Sequence, residues 1–112
     1  MSVRGLVRGI QAQLRDTSMT PELARNALVQ LTALLGSISD EVRVSDVDYK
    51  KVLLKALQSG GAANRARIEA ECSPEFLRYR EAKDVQEQAK QMVVTCRAYL
   101  RSLDEEMRLS RS

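Results

Sequence analysis

Histidine and tryptophan are absent from this 112-residue chain, and phenylalanine occurs once. Without an imidazole there is no Ser-His-Asp or Cys-His site, no His-ligated metal, and no side chain that ordinarily shuttles protons near neutral pH. Five glycines and two prolines are too few for the many turns of a β-sandwich or barrel. The two cysteines, Cys72 and Cys96, are too few for a disulfide scaffold and lack the C-x-x-C spacing of zinc or thioredoxin-like sites. No apolar run approaches the ~18 residues of a membrane span. The first ten residues interleave Arg4 and Arg8 with their apolar positions, which is unlike a signal peptide. The expectation is a cytoplasmic, non-enzymatic protein with reduced thiols, no cofactor, no metal and no membrane association.

What the chain does have is helix-forming material. Hydrophobic residues make up 44% and charged residues 29%, with a formal net charge of +3. Val3, Leu6, Val7, Ile10 and Leu14 recur at spacings of three and four, which predicts a short helix over 3–15. Gly5 and Gly9 weaken it by roughly 1 kcal/mol each. Thr20-Pro21-Glu22 is a helix start: a hydroxyl cap, proline at the first helical position, and a carboxylate at the positive end of the helix dipole.

From there Ala24, Leu28, Leu31, Leu35, Ile38, Val42, Ser45, Tyr49, Val52 and Ala56 keep a three-four rhythm without a slip. The pattern predicts one long helix over 21–58, with room for a bend at Gly36. A second reading breaks it at Ser45, where a serine followed by an acid three residues on resembles a capping box. Ser59-Gly60-Gly61 predicts a turn. Helices are then expected over 62–72 and, after the Ser73-Pro74-Glu75 start signal, over 74–109. Ala82, Val85, Ala89, Met92, Cys96, Tyr99, Leu103 and Met107 carry the seam of the last one. The fold class is all-α: a single helical domain over 1–112, a long antiparallel, coiled-coil-like helical hairpin with a short N-terminal helix.

Seams of this length bury against each other or against copies of themselves. Val93, Leu100 and Leu109 broaden the apolar face of the last helix beyond its seam. Two arrangements use that surplus: a homo-oligomer, which is favoured, or a three-helix bundle closed by the N-terminal helix.

Charge is distributed in blocks. Residues 50–67 hold five basic side chains, Lys50, Lys51, Lys55, Arg65 and Arg67, and no acid, whereas residues 68–87 hold three basic and six acidic ones. The basic block straddles the Gly60-Gly61 turn and is a candidate phosphate-binding tip. Its alternative is a solvated helix end. Glu69, Glu71, Glu75, Glu81, Asp84 and Glu87 alternate with Arg78, Arg80 and Lys83, as on a solvated surface laced with ion pairs, rather than as in a metal site.

Tyr49-Lys-Lys-Val-Leu-Leu-Lys-Ala-Leu-Gln-Ser-Gly-Gly61, Ala63-Asn-Arg-Ala-Arg-Ile-Glu-Ala70 and the closing Tyr99-Leu-Arg-Ser-Leu-Asp-Glu-Glu-Met-Arg108 together resemble small helical proteins of tailed bacteriophages, in particular the UvsY-like recombination mediator family, over about residues 45–112. The resemblance implies a non-enzymatic accessory factor. Such proteins assemble through their helices, bind single-stranded DNA, and help load a recombinase onto DNA covered by single-strand-binding protein. By position, Lys50, Lys51, Lys55, Arg65 and Arg67 would contact DNA, and the C-terminal apolar stripe Met92, Cys96, Tyr99, Leu103 and Met107 would form the oligomer interface. Leu57-Gln58 stand where the family has an aromatic pair, so phosphate contact would carry most of the binding. The alternative from a different class is a helical protein–protein adaptor or inhibitor, such as a phage host-takeover or assembly factor, that binds no nucleic acid.

Overall fold

A computed structural model describes residues 2–111. It is all-α: α1 (Val3–Asp16), α2 (Pro21–Gln58), α3 (Ala63–Glu71) and α4 (Pro74–Ser110). Each start is capped where the sequence supplies a hydroxyl. Ser2 Oγ accepts from Gly5 N at 3.0 Å, Thr20 Oγ1 from Leu23 N at 3.1 Å, and Ser73 Oγ from Phe76 N at 3.2 Å. Each bond satisfies one of the amides that a first helical turn leaves without a partner.

α2 is continuous through both Gly36 and Ser45. Ser45 is fully buried and begins no new helix. Its hydroxyl donates back to the carbonyls of Glu41 at 2.6 Å and Val42 at 3.1 Å. That local bond lets a polar side chain occupy a seam position without leaving a buried group unsatisfied. All ten seam residues of α2 are buried or half-buried. Gly36 is exposed, and a methyl group there meets nothing within 4 Å. Gly36→Ala should therefore stabilise the protein by up to about 1 kcal/mol, read as a raised midpoint in urea denaturation with unchanged slope.

The turn after α2 depends on Gly60, whose φ of 88° lies in the left-handed region that only glycine enters without steric cost. Gly60 N donates to Leu57 O at 3.4 Å, closing the last turn of α2.

The helices group into two compact units, residues 1–37 with 87–112 and residues 38–86. The first contains α1, the first part of α2 and the last part of α4. Its core is Val7 and Ile10 from α1, Ala24, Ala27 and Leu31 from α2, and Ala89, Val93 and Cys96 from α4. Val7 is 0% exposed, so α1 is docked through its apolar stripe. Val93 is buried and Leu100 half-buried within this one chain, while Leu109 is exposed. Of the surplus apolar face that the sequence offers to a second copy, the chain itself thus closes Val93, half-covers Leu100 and leaves Leu109 open.

The second unit contains the rest of α2, all of α3 and the start of α4. Within it α2 and α4 run antiparallel: Gln86 Nε2 donates to Ser39 Oγ at 3.3 Å, Arg78 reaches Glu41 and Asp48, and Tyr49 meets Phe76 and Tyr79. Its fully buried positions are mostly small, with Ser45, Ala66, Ala70 and Ala82 beside Ile38 and Val85. Small residues let helices approach closely, but they bury little apolar area. Val42, Tyr49, Val52 and Ala56 remain half-buried, as expected where no third long helix covers the pair.

Candidate functional site

All five basic residues of the candidate tip lie in the second unit and are exposed. Lys50, Lys51 and Lys55 belong to the last turns of α2, and Arg65 and Arg67 to α3. They are not equivalent. Lys50 Nζ pairs with Asp46 at 3.0 Å, one helical turn back, and Arg65 Nε lies 3.8 Å from Glu69, one turn on. Among the described residues, no ion pair falls on Lys51, Lys55 or Arg67. Acidic neighbours therefore temper two of the five charges and leave three open to an external anion. Arg65 also lines a shallow depression at the turn, with Ala56, Ser59, Gly60, Gly61, Ala66 and Glu69.

Arg78 is the best-paired cation of this unit. Its Nε and Nη2 bond both carboxylate oxygens of Glu41 at 2.7 and 3.1 Å, and Nη1 reaches Asp48 at 3.1 Å. The hydrogen bond to Glu41, then that residue's charge, push the guanidinium pKa above its ordinary value. The sequence pattern around Arg78 suggests pairing along its own helix. The partners come from α2 instead, 37 and 30 residues away, so the fork joins two helices. Bidentate geometry of this kind fixes register more than it adds stability at an exposed site.

Three of the four aromatic side chains gather next to it. Tyr49 and Phe76 lie 4.9 Å apart between ring centroids, and Tyr49 and Tyr79 are parallel at 6.1 Å. All three are half-buried. The sequence places Tyr49 on a seam, and the cluster agrees with that. Phe76 carries no signal of its own beyond standing three residues before Tyr79.

The five residues expected to hold an oligomer divide. Cys96 is 0% exposed within one chain, and Tyr99 donates its hydroxyl to Met19 O at 3.2 Å, so both serve internal packing. Met92 and Leu103 are half-buried, and Met107 is 54% exposed. The seam outruns its partner: Tyr99 already lies against the loop before α2, and Met107 is two turns further on.

The two thiols are also sorted. Cys72 is exposed and Cys96 buried, and desolvation pushes the Cys96 thiol pKa up, away from the reactive thiolate. Treating the native protein with iodoacetamide should add one carbamidomethyl group, seen by mass spectrometry. Cys72→Ser should leave none, and urea should expose the second. Two adducts on the native protein would contradict the packing around Cys96.

Among the described residues no group of three or more His, Cys, Asp or Glu is placed to hold a metal ion, and no helix is long and apolar enough to cross a membrane. No protein-family model, curated protein or solved structure matches the chain.

Proposed function

We propose that this protein is a non-enzymatic, homo-oligomeric accessory factor that binds single-stranded DNA and supports phage-type recombination or replication in the cytoplasm. It would act as a mediator between a recombinase and single-strand-binding protein. The observation that carries this reading is the stretch from Tyr49 to Ile68, which contains no acidic residue and presents Lys51, Lys55 and Arg67 exposed. A strand laid across them would exchange condensed counterions for these side chains, which makes binding steeply salt-dependent. Each subunit supplies a modest contact, and an oligomer sums them along the strand. The outward parts of the C-terminal stripe, Met92, Leu103 and Met107, are the side chains available for that assembly.

The test is a titration of a fluorescent single-stranded oligonucleotide at several salt concentrations, with duplex DNA as control. Single strands should bind more tightly than duplex. Changing Lys51, Lys55 and Arg67 together to Ala should weaken binding and lower the log–log salt slope by about 2, the value for three lost phosphate contacts. Lys50→Ala and Arg65→Ala should each do less, because those side chains already have acidic neighbours. No binding at low salt, or a triple variant that binds as the parent does, would overturn the reading.

A further inference from the structure

The face of α2 opposite its seam carries a second, narrower stripe. Val44, Val47, Lys51 and Leu54 follow at spacings of three, four and three, and thus lie on one side of the helix. Val44 is 39%, Val47 44% and Leu54 55% exposed. Ser45, Tyr49, Val52 and Ala56 turn the other way, into the unit. The aliphatic stem of Lys51 fills the gap in the stripe while its ammonium stays in water, and Lys55 flanks Leu54. Scattered exposed valines and leucines are ordinary. Here they are aligned, they run for about 15 Å along one helix, and the unit that carries them has a core of small residues.

From this we infer that the outer face of α2 between Val44 and Lys55 is a docking surface for an acidic amphipathic helix of a partner protein. Charge identifies the occupant. Lys51 and Lys55 have no ion pair among the described residues, and the sequence offers no acid between Asp48 and Glu69. A ligand that covers Val47 and Leu54 must sit against these ammonium groups, so it carries carboxylates beside its own apolar stripe. A straight stripe with three-four spacing fits a second helix laid alongside, with its apolar residues between those of α2. This inference does not rest on DNA binding: it shares Lys51 and Lys55 with the phosphate contact but adds Val44, Val47 and Leu54, which phosphate contact does not need.

The test uses the full chain and a synthetic acidic peptide that places leucines at helical three-four spacing between glutamates. Two control peptides keep either the leucines with lysine flanks or the glutamates without leucines. The acidic leucine peptide should bind and become helical. Val47→Ser with Leu54→Ser should weaken it about tenfold or more, the loss expected from two exposed apolar contacts, and should leave single-stranded DNA binding unchanged. Both changes are at exposed positions, and an unaltered circular dichroism melt checks that the variant folds. Four results would overturn the inference: equal binding of the leucine-free peptide, equal binding of the lysine peptide, self-association of the chain that the double variant abolishes, or binding to anionic phosphatidylglycerol vesicles in place of the peptide. The first reduces the face to charge alone. The third makes the occupant a second copy, and the fourth makes it a lipid surface. The lysine variants remove charge that both readings use, whereas Val47→Ser with Leu54→Ser touches the docking face alone, so that variant lets the two readings fail separately.

Discussion

Leu31→Ala should cost about 3 kcal/mol of stability, within the range of roughly 2–5 for emptying a fully buried leucine site. Leu31 is the largest side chain that the fold buries completely. It stands in α2 with Ala24 and Ala27 on one side of the same core and Val7, Ile10, Val93 and Cys96 also fully or nearly enclosed. The small neighbours on α2 cannot reach into the space it would leave, and helices tied at both ends by the rest of the unit collapse only in part. For a domain near 100 residues each kcal/mol moves the melting temperature by roughly 4–8 °C. Differential scanning calorimetry should therefore show a fall of more than ten degrees, on the order of 12–24 °C by that conversion. A fall below about 4 °C would mean that Leu31 is not the centre of the core.

Val7→Asp should release α1 from the first unit. Val7 is 0% exposed, and a carboxylate at that position would have to leave water to stay in the apolar core. Burying an unpaired charge costs more than a helix of 14 residues is expected to recover from its other contacts. The expected result is a loss of about 3 kcal/mol or more, together with proteolytic cleavage in the loop between α1 and α2 by a protease that leaves the parent intact there. Releasing α1 takes Val7 and Ile10 out of a core that also contains Leu31 and Val93, and the apolar surface this opens should make the variant associate, visible as a larger species in sedimentation. A variant that melts and sediments like the parent would show that α1 contributes no packing. Leu6→Asp is the matched control, because Leu6 lies on the partly exposed edge of the same stripe.

These two substitutions probe what the sequence leaves open. The start of α2 at Pro21, its end at Gln58, the turn at Gly60-Gly61 and the restart at Pro74 are all local chemistry: a cap, a fixed φ, a positive φ, a dipole. So they are readable from a few neighbouring residues. The three-four rhythm from Ala24 to Ala56 likewise says that one face is buried. It does not say against what. Val93 and Leu100 have the same spacing whether a second copy or the chain itself covers them, and only their burial within one chain distinguishes the two. The same limit hides the fork at Arg78, whose partners Glu41 and Asp48 are indistinguishable in sequence from acids nearer to it. The basic tip is legible as composition. Which of its members stand without an acidic partner follows from side-chain geometry, at Asp46 and Glu69.

The second unit buries Ile38 and Val85, but the largest completely buried side chains lie in the first unit. Leu31, Val7 and Cys96, the fully enclosed apolar side chains of greatest volume, all belong to the first unit, and the second closes mostly over serine and alanine. α2 is one continuous helix of 38 residues, yet its two halves are anchored by different means. The first half is held by large apolar side chains, while the second is held by a core of mostly small residues, the Arg78 fork and an aromatic trio. Opening the far half therefore gives up far less apolar burial than opening the near half. The end that carries the lysines should exchange its backbone amides by local openings that leave the core of the first unit intact.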